Sequence, residues 1–477
     1  MRTFGNLLAF SPELWLLLGA ITVFVLARFA SARATVAIAL IAVALAFAAL
    51  ATQFKQTITI LDGAFLLDGF AIVVDVVILA ASALALLASR SDVVLGEAEP
   101  ASGPGFLLIA TLGAMLAVSA AEMISLFLAL ELVSINLYLL AALQRRGPRS
   151  IGAALGYLTV GAASSALVLY GLALLFGLTG ETELRAAGGA LAGVRPNQAA
   201  VLLAVSLLIA GFAVRIGLLP LRWWGRGFES GVALGALIFI ESVGAVTALA
   251  VFGRLIATTF GATRVSYAPL IAGVAAVTMT TGNLLVLTQR SIRRTLAYSL
   301  IAQAAFALLA FTNVNGVGIT ALLVFLAATA LTNTGAFATL IAYARLVHSD
   351  AIHDLSGMAR FAPALAVALV LSLLSLAGLP PLAGFLGKVL LLQAAVAGGY
   401  TWLAVIGVVN IVIAAFAYLR IIRMVVADPP LFELGPGRLN RSIRTALALA
   451  CLGMVFMGIF MVPLSSAAAY GRAALLH

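Results

Sequence analysis

Apolar residues in this chain neither alternate with polar ones nor recur as a single helical stripe. They continue for about twenty positions at a time between short polar interruptions. A helix crossing a bilayer needs roughly 20 apolar residues, because a rise of about 1.5 Å per residue has to span a hydrocarbon core about 30 Å thick. Runs of this kind fall near 13–31, 34–53, 69–89, 104–120, 123–143, 151–178, 197–219, 232–256, 267–289, 295–312, 317–346, 361–379, 385–425 and 443–464. They predict about fourteen transmembrane helices. The thirteenth run is long enough for more than one crossing, and Pro380–Pro381 reads as an interruption within a helix rather than its end. The first run is long and no small-residue cleavage pattern follows it, so it is read as a span and not as a signal peptide.

Composition gives the same answer. Of 477 residues, 64% are apolar and 9% charged, against about half and a quarter in soluble domains. An aqueous fold cannot hide that much apolar surface, and the fold class is all-α integral membrane. The net charge of +10 invites a nucleic-acid reading, but the placement of the basic residues points to topology instead. With fourteen helices and loops numbered alternately, one set of loops holds 18 Lys and Arg and the other, with both termini, holds 7, Arg254 among them. The richer side is cytoplasmic by the positive-inside rule, so both termini face away from the cytoplasm. The single cysteine, Cys451, lies inside an apolar run, and His348, His353 and His477 sit near loops. Neither pattern supplies a metal, haem or cluster site, and no redox cofactor is expected in this polypeptide.

Of the 27 cations, Arg215 and Lys388 remain inside apolar runs. A cation at the bilayer centre costs about 2.5–3.5 kcal/mol on insertion scales, so it normally faces a bundle interior and serves a function. The chain has 25 arginines and two lysines. A lysine kept in such a segment is therefore more than a positive charge, since a buried lysine can gain and lose a proton whereas arginine stays charged. The competing reading is that Lys388 snorkels to an interface. Glu131 in SLFLALELVSINLYLL and Glu241 in ALIFIESVGAV are carboxylates inside apolar runs, and a buried carboxylate needs a cationic partner or a proton. Glu131 with Arg215 is the natural pairing. Glu122 reads as interfacial, Asp68 as a helix end, and Asp75 as either structural or functional.

Two segments combine a proline interruption with a nearby cation: GLLPLRWW at Gly217–Trp224 and AGLPPLAGFLGK at Ala377–Lys388. Broken helices at corresponding places in two halves mark transport sites, because unwound backbone is tolerated where it lines a polar cavity. The spacing predicts three N-terminal helices in 1–103, a first five-helix repeat in 104–260, a second in 261–427, inverted relative to the first, and a C-terminal loop and last helix in 428–477.

Several stretches then resemble the antiporter-like subunit N of bacterial NADH:quinone oxidoreductase, the respiratory complex I: FLALELVSINLYLLAAL, GYLTVGAASSALVLYG, GNLLVLTQRSIRRTLAYSLIA, TNTGAFATLIAY and, most specifically, SLAGLPPLAGFLGK. The resemblance covers about residues 104–425. It implies that Glu131 is the buried glutamate of the fifth helix, that Arg215 takes the place of the seventh-helix lysine and that Lys388 is the lysine of the twelfth. It also implies partner subunits in a membrane arm of a bacterial inner membrane, with NAD, FMN, iron–sulfur clusters and quinone in those partners, and an NADH- or ferredoxin-driven enzyme of which this chain is one part. Glu131, Arg215 and Lys388 form the expected proton relay, and Glu241 is a further candidate.

The departures from the family are specific. Gly156 stands where the family has lysine before Tyr157. Leu221-Arg222-Trp223-Trp224 replaces Phe-His-x-Trp, Gln303 replaces a histidine, and the eighth-helix lysine expected near Gly244 or Ala245 is absent. The first half-channel has lost its titratable lysines. Either Glu131 and Glu241 carry protons there with water, or this half is structural. An Mrp-type cation/proton antiporter subunit, a non-pumping membrane-arm scaffold and a stand-alone transporter are the alternatives.

Overall fold

A computed structural model of the chain describes residues 9–89, 101–143, 148–193, 198–218, 234–261, 264–347, 349–430 and 440–476. The proline break at Gly217–Trp224 therefore lies mostly outside the described residues, as do His348 and His477.

The chain is a bundle of apolar helices, as its runs predict. Helices α1 (Ser11–Leu26), α2 (Ala32–Thr52) and α3 (Gly69–Ser89) come first. They are followed by α4 (Gly103–Ser119), α5 (Met123–Leu143), α6 (Pro148–Thr179), a short α7 (Leu184–Gly193) and α8 (Gln198–Ile216). Next, α9 (Leu234–Phe239) passes through a π turn at Ile240–Gly244 into α10 (Ala245–Thr259). Beyond it lie α11 (Arg264–Thr288), α12 (Ile292–Ala307), α13 (Ile319–Val347), α14 (Pro363–Ala377) and α15 (Ala383–Ala397). The last three are α16 (Thr401–Val426), α17 (Arg441–Ile459) and α18 (Met461–Leu476). Among the described residues ten helical stretches are long and apolar enough to cross a membrane, and four more apolar helices are shorter. One of the ten, Ile292–Val347, is 56 residues long and is α12 and α13 joined through Gly316, whose backbone is non-helical.

Helices dominate because hydrocarbon offers no partner for backbone amides, which each helix satisfies internally. Their ends are marked by side chains that take over this role: Ser31 and Ser291 accept from the amides of Ala34 and Arg294, and Asp68 accepts from Ala71 at 2.8 Å. On α16, Val405, Val408, Val412, Phe416 and Leu419 are exposed at helical spacing, which suits a face turned to lipid.

The structure differs from the run pattern in four places. The thirteenth run, long enough for more than one crossing, divides at 398–400 into α15 and α16. A two-stranded antiparallel hairpin, β1 (Ile58–Ile60) with β2 (Phe65–Leu67), fills the connection before α3, pairing Ile58 with Leu67 and Ile60 with Phe65. The fourteenth run continues past Phe460 as α18, which packs on α3 and α13. Fourth, Arg254 does not lie in a loop: it is inside α10 and 2% exposed. Its Nη2 donates to Asp68 Oδ1 at 2.6 Å, in an ion pair whose partners are 2% and 1% exposed, and its guanidinium lies 5.2 Å from the Phe70 ring centroid. Arg254 thus joins Arg215 and Lys388 as a cation drawn into the apolar bundle.

Candidate functional site

Glu131 points from α5 towards α6 and α8. Its Oε1 accepts from Arg215 Nη2 at 2.6 Å and from Ser165 Oγ at 2.5 Å. Arg215, in the last turn of α8, also donates to Ser165 Oγ at 2.9 Å, to Ser134 Oγ and to the Leu130 carbonyl. Ser134 stands three residues after Glu131 on α5 and so shares its face. The approach of α6 to α8 that makes this possible depends on Gly211, one turn before Arg215: a Cβ there would lie 3.0 Å from the Val168 nitrogen and 3.1 Å from the Ser164 carbonyl. Ser164 Oγ donates to the Gly211 carbonyl at 2.8 Å, locking the two helices. The pair is not sealed: side-chain exposure is 11% for Arg215 and 24% for Glu131.

Lys388 lies on α15, 1% exposed. Its Nζ donates to the Leu376 carbonyl at 2.5 Å and sits 4.9 Å from the Phe306 ring centroid, while Gln303 on α12 donates to the same carbonyl at 2.9 Å. Leu376 can accept twice because α14 ends beside it. Gly378, at φ +81°, takes the left-handed conformation that caps a helix, with its amide on the Leu374 carbonyl. Among the described residues no carboxylate comes within salt-bridge distance of Lys388. Its charge is met by a carbonyl dipole and an aromatic face, and a cation–π contact of this kind contributes about 2 kcal/mol or more when desolvated.

Glu241 stands on the π turn between α9 and α10, 5% exposed, and its own carbonyl accepts from Asn333 of α13 at 3.4 Å. A π turn adds a residue to the helical circuit and recurs at functional sites. Gly244, where the family lysine is expected, faces Leu137 of α5. The structure thus brings Glu131 and Arg215 together and places Lys388 in a separate environment on α15. Glu241 lies between them in the contact order, since its turn packs on α13 and α13 packs on α15.

Sequence reasoning missed Ser134, Ser165 and the Asp68–Arg254 pair. The three-residue spacing from Glu131 could have found Ser134. For Arg254 the signal was its position two residues inside the end of an apolar run. Nothing in GAASSALVLYG singled out Ser165.

The model for the NADH:quinone oxidoreductase/Mrp antiporter transmembrane family matches residues 120–414, a stretch that holds Glu131, Arg215, Glu241 and Lys388. NADH-quinone oxidoreductase subunit N 1 of Thermodesulfovibrio yellowstonii is 32% identical over 398 residues, 83% of this chain and 85% of that protein. A chain of respiratory complex I from Thermus thermophilus superposes with a TM-score of 0.80 at 27% identity, covering 95% of this chain and 98% of the other. A chain of the Mrp complex from Dietzia gives a TM-score of 0.87 at 19% identity over 98% and 97% of the two chains, a likeness of fold. The chain belongs to the NADH:quinone oxidoreductase/Mrp antiporter transmembrane family.

Proposed function

We propose that this chain is a subunit N-type component of the membrane arm of a proton-translocating NADH- or ferredoxin:quinone oxidoreductase. It is set in a bacterial inner membrane with both termini away from the cytoplasm, and residues 104–260 and 261–427 act as two inverted half-channels. NAD, FMN, iron–sulfur clusters and quinone belong to partner subunits in this reading. The observation that carries it is Lys388, a buried lysine without a carboxylate partner among the described residues, beside an interrupted helix, in the segment most specific to subunit N. Such a lysine exchanges its proton when a neighbouring charge changes, because a like charge disfavours ionisation and an opposite charge favours it. Arg215 acts as a fixed charge that tunes Glu131, with Glu241 as the group between the halves.

The test is the ratio of protons pumped to electrons transferred in reconstituted vesicles. Lys388→Met and Lys388→Arg should both assemble and both lower the ratio, since arginine keeps the charge but does not release a proton. An arginine variant that pumps at the wild-type ratio overturns the proton-carrier role.

A second reading has its own observation. Glu131 is tied to Arg215 and Ser165, and Gly244 stands where a lysine is expected, so the first half supports the chain without conducting. Under that reading Glu131→Gln leaves the pumping ratio unchanged while Lys388→Met still lowers it.

A further inference from the structure

The break between α14 and α15 leaves the Leu376 carbonyl to side chains. Around it the backbone serves its own acceptors: the Leu374 carbonyl takes the amides of Gly378 and Leu379, and the Ser375 carbonyl takes that of Gly378. In a continuing helix the Leu376 carbonyl would be served by residue 380, which is Pro380 and has no N–H. Two side chains reach it instead, Lys388 Nζ at 2.5 Å and Gln303 Nε2 at 2.9 Å, one for each lone pair of the oxygen. Both donors are buried. They differ in one respect: the lysine can lose its charge and turn away, whereas the glutamine amide does not titrate and donates in either case.

We propose that Gln303 is a positioning residue, a standing donor that keeps the Leu376 carbonyl paired so that Lys388 can leave it and return. An acceptor buried in hydrocarbon is costly to strand. Without the amide, Lys388 would be the last side-chain donor to this carbonyl among the described residues and would be pinned to it. With the amide, the ammonium is one of two donors and its departure strands nothing. The surroundings of Gln303 suit a fixed donor. One turn earlier on the same face of α12, Ser299 Oγ accepts from the Tyr418 hydroxyl of α16 at 2.5 Å, and both side chains are fully buried. This bond ties α12 across to α16. Three residues after Gln303, the Phe306 ring centroid lies 4.9 Å from Lys388 Nζ, so α12 meets the lysine site at two points. On the other side the approach is close: a Cβ on Gly378 would lie 2.8 Å from Lys388 Cδ, and the lysine stem passes the break with no side chain between them.

The pumping role rests on the reading of Lys388 as a proton carrier, whereas the shared carbonyl does not, and two measurements separate them. Thermal unfolding of the detergent-solubilised chain tests the sharing. Gln303→Met and Lys388→Met each leave the carbonyl one donor and the double variant leaves none, so the double should lose more stability than the two single losses added together. Losses that simply add overturn the proposal. The ratio of protons pumped to electrons transferred in reconstituted vesicles tests the role. Gln303→Met, close in size but without a donor, should lower the ratio with electron transfer intact, and Gln303→His, which keeps an N–H, should recover most of what methionine loses. A methionine variant at the wild-type ratio, where Lys388→Met lowers it, overturns the positioning role. A Lys388→Met variant at the wild-type ratio overturns the carrier reading and the pumping role with it, and the unfolding cycle still decides whether the carbonyl is shared. If Gln303→Met does not assemble, Gln303→His decides: a ratio as low as that of Lys388→Met overturns the proposal.

Discussion

Arg215 is surrounded by four oxygen acceptors, from Glu131, Ser165, Ser134 and Leu130. Removing the guanidinium leaves a carboxylate in a poorly solvated place, which is worse than removing both charges. Arg215→Met should therefore reduce assembly more than the Glu131→Leu/Arg215→Met double variant, and a double-mutant cycle on complex yield measures the coupling. Equal damage from single and double changes would mean the two charges act independently. Asp68 and Arg254 are buried further, at 1% and 2% exposure. Arg254→Met should cost about 3–5 kcal/mol, the usual figure for breaking a buried pair, while Asp68→Asn combined with Arg254→Met costs less; thermal unfolding of the detergent-solubilised chain separates the two. Ser165→Ala should leave the fold intact and release Glu131 from one of its two donors, detectable as a changed ratio of protons pumped to electrons transferred.

Helix termini and close approaches set the accuracy of the sites. At the α14–α15 break, a Cβ on Gly384 would collide with the Ser375 carbonyl, and the Gly384 amide donates to Ser375 Oγ at 3.2 Å. Gly384→Val should push α15 away from α14 and displace Lys388 from the Leu376 carbonyl. Gly156, which has nothing within 4 Å of its would-be Cβ, should accept alanine without effect. Assembly yields of the two variants compare a packed glycine with a free one. These elements also show what was legible in the sequence. The limits of α3 and α5 coincide with the apolar runs at 69–89 and 123–143, because hydropathy alone decides where a span begins. The break before Lys388 was readable from Pro380–Pro381 and the lysine itself, and the Glu131–Arg215 pairing from charge economy. The π turn at Glu241 was not readable, since its residues, IESVG, carry no proline and a lone glycine is tolerated in a regular helix; the turn packs against α3, α4 and α13. Arg254 was misplaced because a run's edge does not reveal that Asp68 waits 186 positions earlier in the chain.

Counted along the sequence with alternating loops, the cations divide 18 against seven, and placing Arg254 inside α10 leaves six in the poorer set. The asymmetry is strengthened, and a reporter active only in the cytoplasm, fused at His477, should stay silent; a strong signal would reverse the orientation. The tie between Asp68 and Arg254 also fixes an order in time. Chains are made from the N-terminus at about 5–20 residues per second, so the 186 positions between the two residues correspond to roughly 10–40 s of synthesis. For that interval α3 enters the membrane with Asp68 lacking its arginine. The first three helices are therefore expected to stay near the insertion machinery until α10 brings Arg254 to Asp68. Nascent chains stalled before and after Arg254 should differ in crosslinking between α3 and the insertion machinery, with release only in the longer chain.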